Sequence, residues 1–454
     1  MLRSINPANG DLLAEFPPHS APEICAALHA AHAAHLAWKQ TPLAARADRF
    51  RALAARLRER RDHLARLAAE EMGKPVTEGR AEADKCAWLC DYFAGHGPAM
   101  LADQPVDTGA KESFVTFQPL GVILAVMPWN FPFWQLFRAG VPILLAGNAV
   151  ALKHASNVPR CAIAIENLFR ESGFPEDLVR VILAGPDGAA AALAHESVRG
   201  VTLTGSAAAG AQLAALAGSV LKKCVMELGG SDPYLVLEDA DLDLAARLCA
   251  TARCLNAGQV CIAAKRFIVI ETVRAAFEEK FLAELRAWAP GDPLHPDTKL
   301  GPLAKPEARA ALQKQVDASV AAGATLRLGG SPLPGPGYFY PPTLLTGVRP
   351  GMAVFDEEIF GPVAAVISAR DEAEAVALAN QHRYGLGAGV FTRDLARGRR
   401  LAREQLDAGA CVVNDFVKSD PRLPFGGVKQ SGYGRELGLI GIHEFVNIKS
   451  VVIR

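Results

Sequence analysis

The chain has 454 residues, half of them hydrophobic and 21% charged, too long for a single ordinary core, so two or three domains of roughly 100 to 200 residues are expected. Lysine plus arginine equals aspartate plus glutamate at 48 each, which leaves no global field to attract nucleic acid or an anionic membrane. Charge selection among partners therefore has to be local.

In chain order, Met1 to Pro7 shows neither the apolar core of an export signal nor an Arg-rich presequence. Nine cysteines are scattered without a C-x-x-C pair and read as reduced, so a cytoplasmic location is expected. From Ser20 to about Gly95 the pattern is helical, opening on Ser20-x-x-Glu23 as a capping box and continuing through Leu43 to Glu70. His29, His32 and His35 fall three apart there. Metal ligation would need converging acids or cysteines as well, so they read as solvated or packed helix positions and no metal is expected.

Ser113 to Phe137 carries no charge and is long enough to cross a bilayer of about 30 Å. Its prolines at 119, 128 and 132 argue instead for a buried strand, a loop and a helix start. After about Asp107 apolar strands alternate with helices, at Gly121 to Met127, Ala149 to Lys153, Val179 to Ala184 and Val201 to Thr204, the pattern of a parallel, doubly wound sheet. A second series begins near Pro233 to Leu237 and includes Arg266 to Glu271, Pro362 to Ser368, Gly387 to Phe391 and Cys411 to Asn414. Two α/β domains follow. Gly329 to Pro342 reads as a long turn-rich connection anchored by Tyr338, Phe339 and Tyr340, and Ile448 to Arg454 as a final strand.

Three segments could carry chemistry. Cys261 follows Asn256-Ala257-Gly258-Gln259-Val260, a stretch that breaks the preceding helical pattern and leaves the thiol on a loop, where a thiolate could attack a carbonyl carbon; the competing reading is a buried structural cysteine. Glu227 ends the apolar run Cys224-Val225-Met226 and precedes Gly229-Gly230, so its carboxyl could approach a site and, in apolar surroundings, serve as a base near neutral pH. A strand-end ion pair is the alternative. Asn130, between Trp129 and Phe131-Pro132, could present its amide to a developing oxyanion or simply shape a turn. A further segment, Thr204-Gly205-Ser206, follows a strand and opens a helix, a place suited to a dinucleotide's diphosphate, although it is not the G-x-G-x-x-G pattern.

These segments, together with Glu357-Glu358-Ile359-Phe360-Gly361-Pro362 and Pro424-Phe425-Gly426-Gly427-Val428-Lys429, resemble the aldehyde dehydrogenase superfamily, in the family's order and from Pro119 to Glu436. The resemblance implies a variant Rossmann nucleotide-binding domain (residues 1–100 and 120–229), a catalytic domain (230–425) and an oligomerisation arm (101–119 and 426–454), hence a homodimer or homotetramer. It implies Cys261 as nucleophile, Asn130 with the Cys261 amide as oxyanion donors, and Glu227 as the base toward water. Gly205, Ser206, Trp129, Lys153 and Leu228 would hold the nucleotide, Glu358 the nicotinamide ribose, and Phe360 would pack near the ring.

Where NAD-preferring relatives commonly carry an acid three residues after the lysine, this chain has Ser156. A serine there can hydrogen-bond to a 2′-phosphate that a carboxylate would repel, so NADP is expected, with NAD use left open. The runs Lys153-His154-Ala155-Ser156-Asn157-Val158 and Glu227-Leu228-Gly229-Gly230-Ser231-Asp232-Pro233 look like bacterial succinate-semialdehyde dehydrogenases. That group would place Arg138 and Ser419 on the substrate's distal carboxylate. One departure is Leu255, where some of that group carry a second arginine, which leaves room for glutaric semialdehyde or a neutral aliphatic aldehyde. Readings of other kinds are a cysteine hydrolase, a noncatalytic binding protein, and, within the family, an enzyme that passes the acyl group to CoA.

Overall fold

The computed structural model describes all residues, 1–454. Two parallel sheets dominate. The first has six strands in the spatial order Gly432–Tyr433, Lys223–Glu227, Val198–Thr204, Val122–Met127, Ala149–His154 and Val179–Val181, parallel except for the first of these. The chain enters at Val122–Met127, steps outward through two strands, then crosses back to place Val198–Thr204 on the other side of its starting strand. That reversal opens a crevice at the carboxyl ends of these two neighbours, the place where open α/β sheets receive ligands.

The second sheet has seven strands, ordered Thr325–Leu328, Thr343–Thr346, Val363–Ala369, Ala264–Ile270, Asp232–Val236, Gly387–Phe391 and Ala410–Val413, and only the Thr325–Leu328 edge runs antiparallel. Each sheet has its own core, one drawn mainly from residues 24–228 and the other from 234–417. Their central strands, such as Val122–Met127 and Ala264–Ile270, are buried on both faces, which is why they read as continuous apolar runs.

The N-terminal helical region consists of Ala21–Trp38, Leu43–Glu59, Arg61–Met72 and Val76–Met100. At its start the Glu23 carboxylate accepts from both the backbone N–H and the hydroxyl of Ser20, each at 2.7 Å. The hairpin Leu2–Ile5 with Leu12–Phe16 precedes it and was not expected, because two such short strands carry little alternation. The uncharged run resolves into the strand Glu112–Pro119, the strand Val122–Met127 and the helix Trp134–Leu145. No helix is long and apolar enough to cross a membrane. Val446–Ile453 pairs antiparallel with Glu112–Pro119 along its whole length, and Gln104–Pro105 completes a three-stranded arm.

Of the three spaced histidines, His35 bonds the Gly147 carbonyl, whereas His29 meets Cys25 and His195. The Cys25 sulfur lies 3.8 Å from His29 Nδ1 and 3.4 Å from His195 Nε2. Cys25 is thus the converging cysteine that metal ligation would require, its sulfur and the two ring nitrogens lying within 4.8 Å of one another, while the Ser197 N–H donates to His195 Nδ1, which leaves Nε2 of that ring toward the sulfur.

Candidate active site

The helix Leu242–Cys254 ends in a tight turn in which Asn256, Ala257 and Gly258 all have left-handed backbone (φ 51°, 53° and 72°). Asparagine and glycine adopt that region readily, but Ala257 does so at a cost of about 1–2 kcal/mol, so the surroundings must hold it. They do. The Asn256 N–H donates to Glu78 Oε2 at 2.8 Å, Arg253 Nη2 donates to the Gly258 carbonyl at 2.6 Å, and the Gln259 side chain spans from Asn256 to the Ala304 N–H. A side chain at Gly258 would collide with the backbone of Gly361 at 2.4 Å, which ties the turn before Cys261 to the Glu357–Pro362 motif. Lys265 Nζ donates to the carbonyls of Val260 and Cys261, at 3.1 and 2.6 Å.

Cys261 emerges from this turn half-buried and unpaired. Burial pushes its thiol up to about 11, against the opposing pull of the Arg138 and Lys265 cations. Asn130 is buried and donates from Nδ2 to the Gln259 carbonyl at 2.9 Å; its other amide hydrogen has no such tether.

Glu227 is the last residue of its strand and is almost wholly buried, with neither carboxylate oxygen hydrogen-bonded. Burial raises its pKa well above the carboxylate range, with Arg138 opposing. Its nearest cation is Arg138 Nη2, at 4.0 Å.

Two cavities meet at Cys261. One, of about 230 Å³, has Trp129, Asn130, Gly205 and Ser206 on its wall, with Leu228, Glu358 and Phe360 completing it. The Trp129 and Phe360 rings stand edge to face across it with centroids 5.8 Å apart. Ser206 caps the helix Ala207–Ser219 by accepting from the Ala209 N–H, so that helix aims its first-turn amides at the cavity, a fit for a diphosphate. The Glu358 carboxylate accepts from the Gly230 N–H at 3.0 Å and lies 3.9 Å from Lys265. Gly229 leaves room for it, since a Cβ there would meet Glu358 at 2.4 Å.

Lys153 and Ser156 are not on this wall. They sit one strand further along, at the end of Ala149–His154, where Lys153 pairs in register with Val126. Burial, and the nearby Lys305 cation, hold the Lys153 pKa below its usual value. Lys153 and Lys305 thus bring two basic side chains to this end of the crevice, as a phosphate on the adenosine ribose would require. Glu227 also lines neither cavity.

The second cavity, of about 210 Å³, is more apolar and includes Arg138, Leu255, Cys261, Ser419 and Lys85. Here the structure departs from the expectation for Arg138. Its guanidinium is fully buried, bonds Glu436 through Nε, donates to Thr204 Oγ1 at 3.2 Å and stacks 4.6 Å from the Phe425 ring centroid. It is an internal ion pair as well as a wall residue, because a charge this deep is stable only beside an opposite one. Glu436, Lys85, Lys265, Arg253 and Glu78 went unnoticed in the sequence. Arg253 and Lys265 flank the Cys261 turn but belong to no motif, and Glu436, Lys85 and Glu78 reach the site from elements distant in the chain.

The sequence profile of the aldehyde dehydrogenase family matches residues 1–451. A succinate semialdehyde dehydrogenase [NAD(P)+] of Escherichia coli K12 is 46% identical over 448 residues, covering 99% of this chain and 97% of its own. A probable succinate-semialdehyde dehydrogenase [NADP(+)] of Synechocystis is 47% identical over 452 residues, covering 100% and 99%. Among solved structures, the succinic semialdehyde dehydrogenase of Streptococcus pyogenes in complex with NADP+ superposes with a TM-score of 0.97 at 36% identity, with both chains fully covered.

Proposed function

The chain belongs to the aldehyde dehydrogenase family, and from that premise we propose that it oxidises succinic semialdehyde to succinate with NADP as the preferred acceptor and NAD as a second. The observation that carries this reading is that Cys261 lies on the walls of both cavities, one suited to a nucleotide and one to a small aldehyde.

In this reading Cys261, once deprotonated, adds through sulfur to the aldehyde carbon. Asn130 Nδ2 and the Cys261 backbone N–H donate to the oxygen as it gains charge, a contribution of about 3–4 kcal/mol for such a donor. Trp129, Gly205, Ser206, Leu228, Glu358 and Phe360 would hold a nicotinamide dinucleotide, with Lys153 and Ser156 toward the phosphate-bearing ribose, and the group would supply the hydride acceptor for this carbon. Glu227 then takes a proton from the water that attacks the thioester, which releases the acid and restores Cys261. Because Glu227 lines neither cavity, reaching that water requires its side chain to rotate toward Cys261; no hydrogen bond holds its oxygens, and the Arg138 cation at 4.0 Å is the one attraction to overcome.

Ser419 and the Glu436-bound Arg138 both stand on the wall at the substrate end. Leu255 on the same wall favours a second reading, in which glutaric semialdehyde or a neutral aliphatic aldehyde is taken. The three-stranded arm (101–119 with 426–454) exposes Ile448 and Val452, which supports a homodimer or homotetramer, with residues 1–100 and 120–229 as the nucleotide-binding domain and 230–425 as the catalytic one. Nine free thiols support a cytoplasmic location.

The test is the initial rate of reduced-cofactor formation from succinic semialdehyde with NADP and with NAD, using Cys261→Ala as the blank and adding CoA in a parallel series. NADPH formation that vanishes in the blank and yields free succinate supports the proposal, and Ser156→Glu should shift preference toward NAD. Activity confined to uncharged aldehydes, or an acyl-CoA product, would overturn it.

A further inference from the structure

Three cations line the aldehyde cavity, and two are already neutralised. Arg138 is bonded to Glu436, and Lys418 lies 3.1 Å from Asp415 and over the Phe416 ring. The third, Lys85, projects from the helix Val76–Met100. Its one hydrogen bond runs from Nζ to Ser419 Oγ at 2.9 Å, and it rests 4.1 Å from the Trp134 ring centroid.

The acids nearby are occupied elsewhere. Glu82, on the same helix, accepts from Lys74 and from the N–H groups of Phe133 and Trp134. Asp420, in the segment that carries Ser419, is bonded to Arg422 at 2.6 Å. Glu78 accepts from the Asn256 N–H, and burial pushes it up to about 7. Burial and the neighbouring Arg138 likewise bring Lys85 down to about 8, the mark of an ammonium with too little counter-charge.

We propose that Lys85 is a specificity-determining residue, whose ammonium, with the Ser419 hydroxyl, receives the distal carboxylate of the substrate. This rests on the semialdehyde reading above. Ser419 accepts from Lys85, so its own O–H is free to point at the carboxylate, and Lys85 keeps two further N–H donors. The Trp134 face beneath restrains the ammonium while leaving those donors open. Leu255 adds only apolar surface to this wall, so the charge recognition that an arginine would provide there falls to a residue on another helix.

The experiment compares succinic semialdehyde with butanal, a neutral aldehyde of equal chain length, at saturating NADP in the full-length enzyme and in Lys85→Met, Lys85→Gln and Lys85→Arg. Loss of a charge-assisted bond should raise KM for the semialdehyde about tenfold or more in the Met and Gln variants. Their kcat, and KM for butanal, should stay near wild type, and the Arg variant should recover most of the difference. A KM for the semialdehyde that stays within about twofold of wild type in both uncharged variants, or a loss shared equally by both aldehydes, overturns the role of Lys85. If the wild type itself shows no preference for the semialdehyde over butanal, the substrate reading falls and this inference with it. If it shows that preference and the uncharged variants keep it, only the inference falls.

Discussion

The side-chain amide of Asn256 donates to the backbone carbonyl of Asn130 at 2.7 Å, and the amide of Asn130 donates to the Gln259 carbonyl at 2.9 Å. Two segments 126 residues apart are thus laced together immediately before Cys261, and the left-handed turn is held by the same bonds that orient the amide donor. Asn256→Ala removes both the bond and a residue that tolerates φ near 51°, whereas Asn256→Gly removes only the bond. We expect the Ala variant to lose about 2–3 kcal/mol of stability and the Gly variant about 1 kcal/mol, measured by denaturant unfolding. Equal losses would show that backbone strain is not part of the design.

The resting thiol of Cys261 is protonated at neutral pH, since burial holds it up to about 11. Inactivation of the free enzyme by a neutral alkylating agent should therefore accelerate about tenfold per pH unit from pH 7 to 10. A plateau below pH 8 would mean that the free enzyme already holds a thiolate.

For Glu227, burial raises the folded-state pKa. The carboxyl thus favours folding fully below its ordinary titration range, and that contribution is lost as pH rises through that range toward the raised value. Relative to Glu227→Gln, the wild type should be most stable in acid and lose ground steadily on going to neutral pH, a trend readable from Tm across buffers. In turnover the same variant should show a burst of NADPH followed by a steady state slowed about 10²–10⁴-fold, because thioester hydrolysis has lost its base. An undiminished steady state would assign the water to another group.

Arg138 and Glu436 are at most 4% exposed, so removing one leaves the other as a buried, unpaired charge. Arg138→Met should cost about 3–5 kcal/mol. Adding Glu436→Gln should restore a large part of it, because the stranded carboxylate is then gone. Additive losses in this double-mutant cycle would show that the pair is not coupled.

Much of the scaffold was legible in the sequence because its signals are local. Continuous apolar runs such as Val122–Met127 can be satisfied only in a sheet covered on both faces. Ser20 and Glu23 form their cap within four residues, and Asn256-Ala257-Gly258 marks the end of a helix because two of the three residues favour left-handed backbone. The same locality placed Cys261 on a loop and Glu227 at a strand end. The N-terminal hairpin escaped notice because its strands, Leu2–Ile5 and Leu12–Phe16, are too short for alternation to stand out.

The sequence by itself determined the family, the two doubly wound sheets and the loop that carries Cys261, because each is written in contiguous residues whose backbone and side-chain preferences agree. Only the tertiary structure decided how the charges are shared. Arg138 looked like a free anchor until Glu436, 298 residues away, was seen to hold it. Lys85 had no motif until Ser419, 334 residues away, was found at its ammonium. Coulomb interaction and desolvation depend on distance and burial, and neither is a property of a residue's place along the chain.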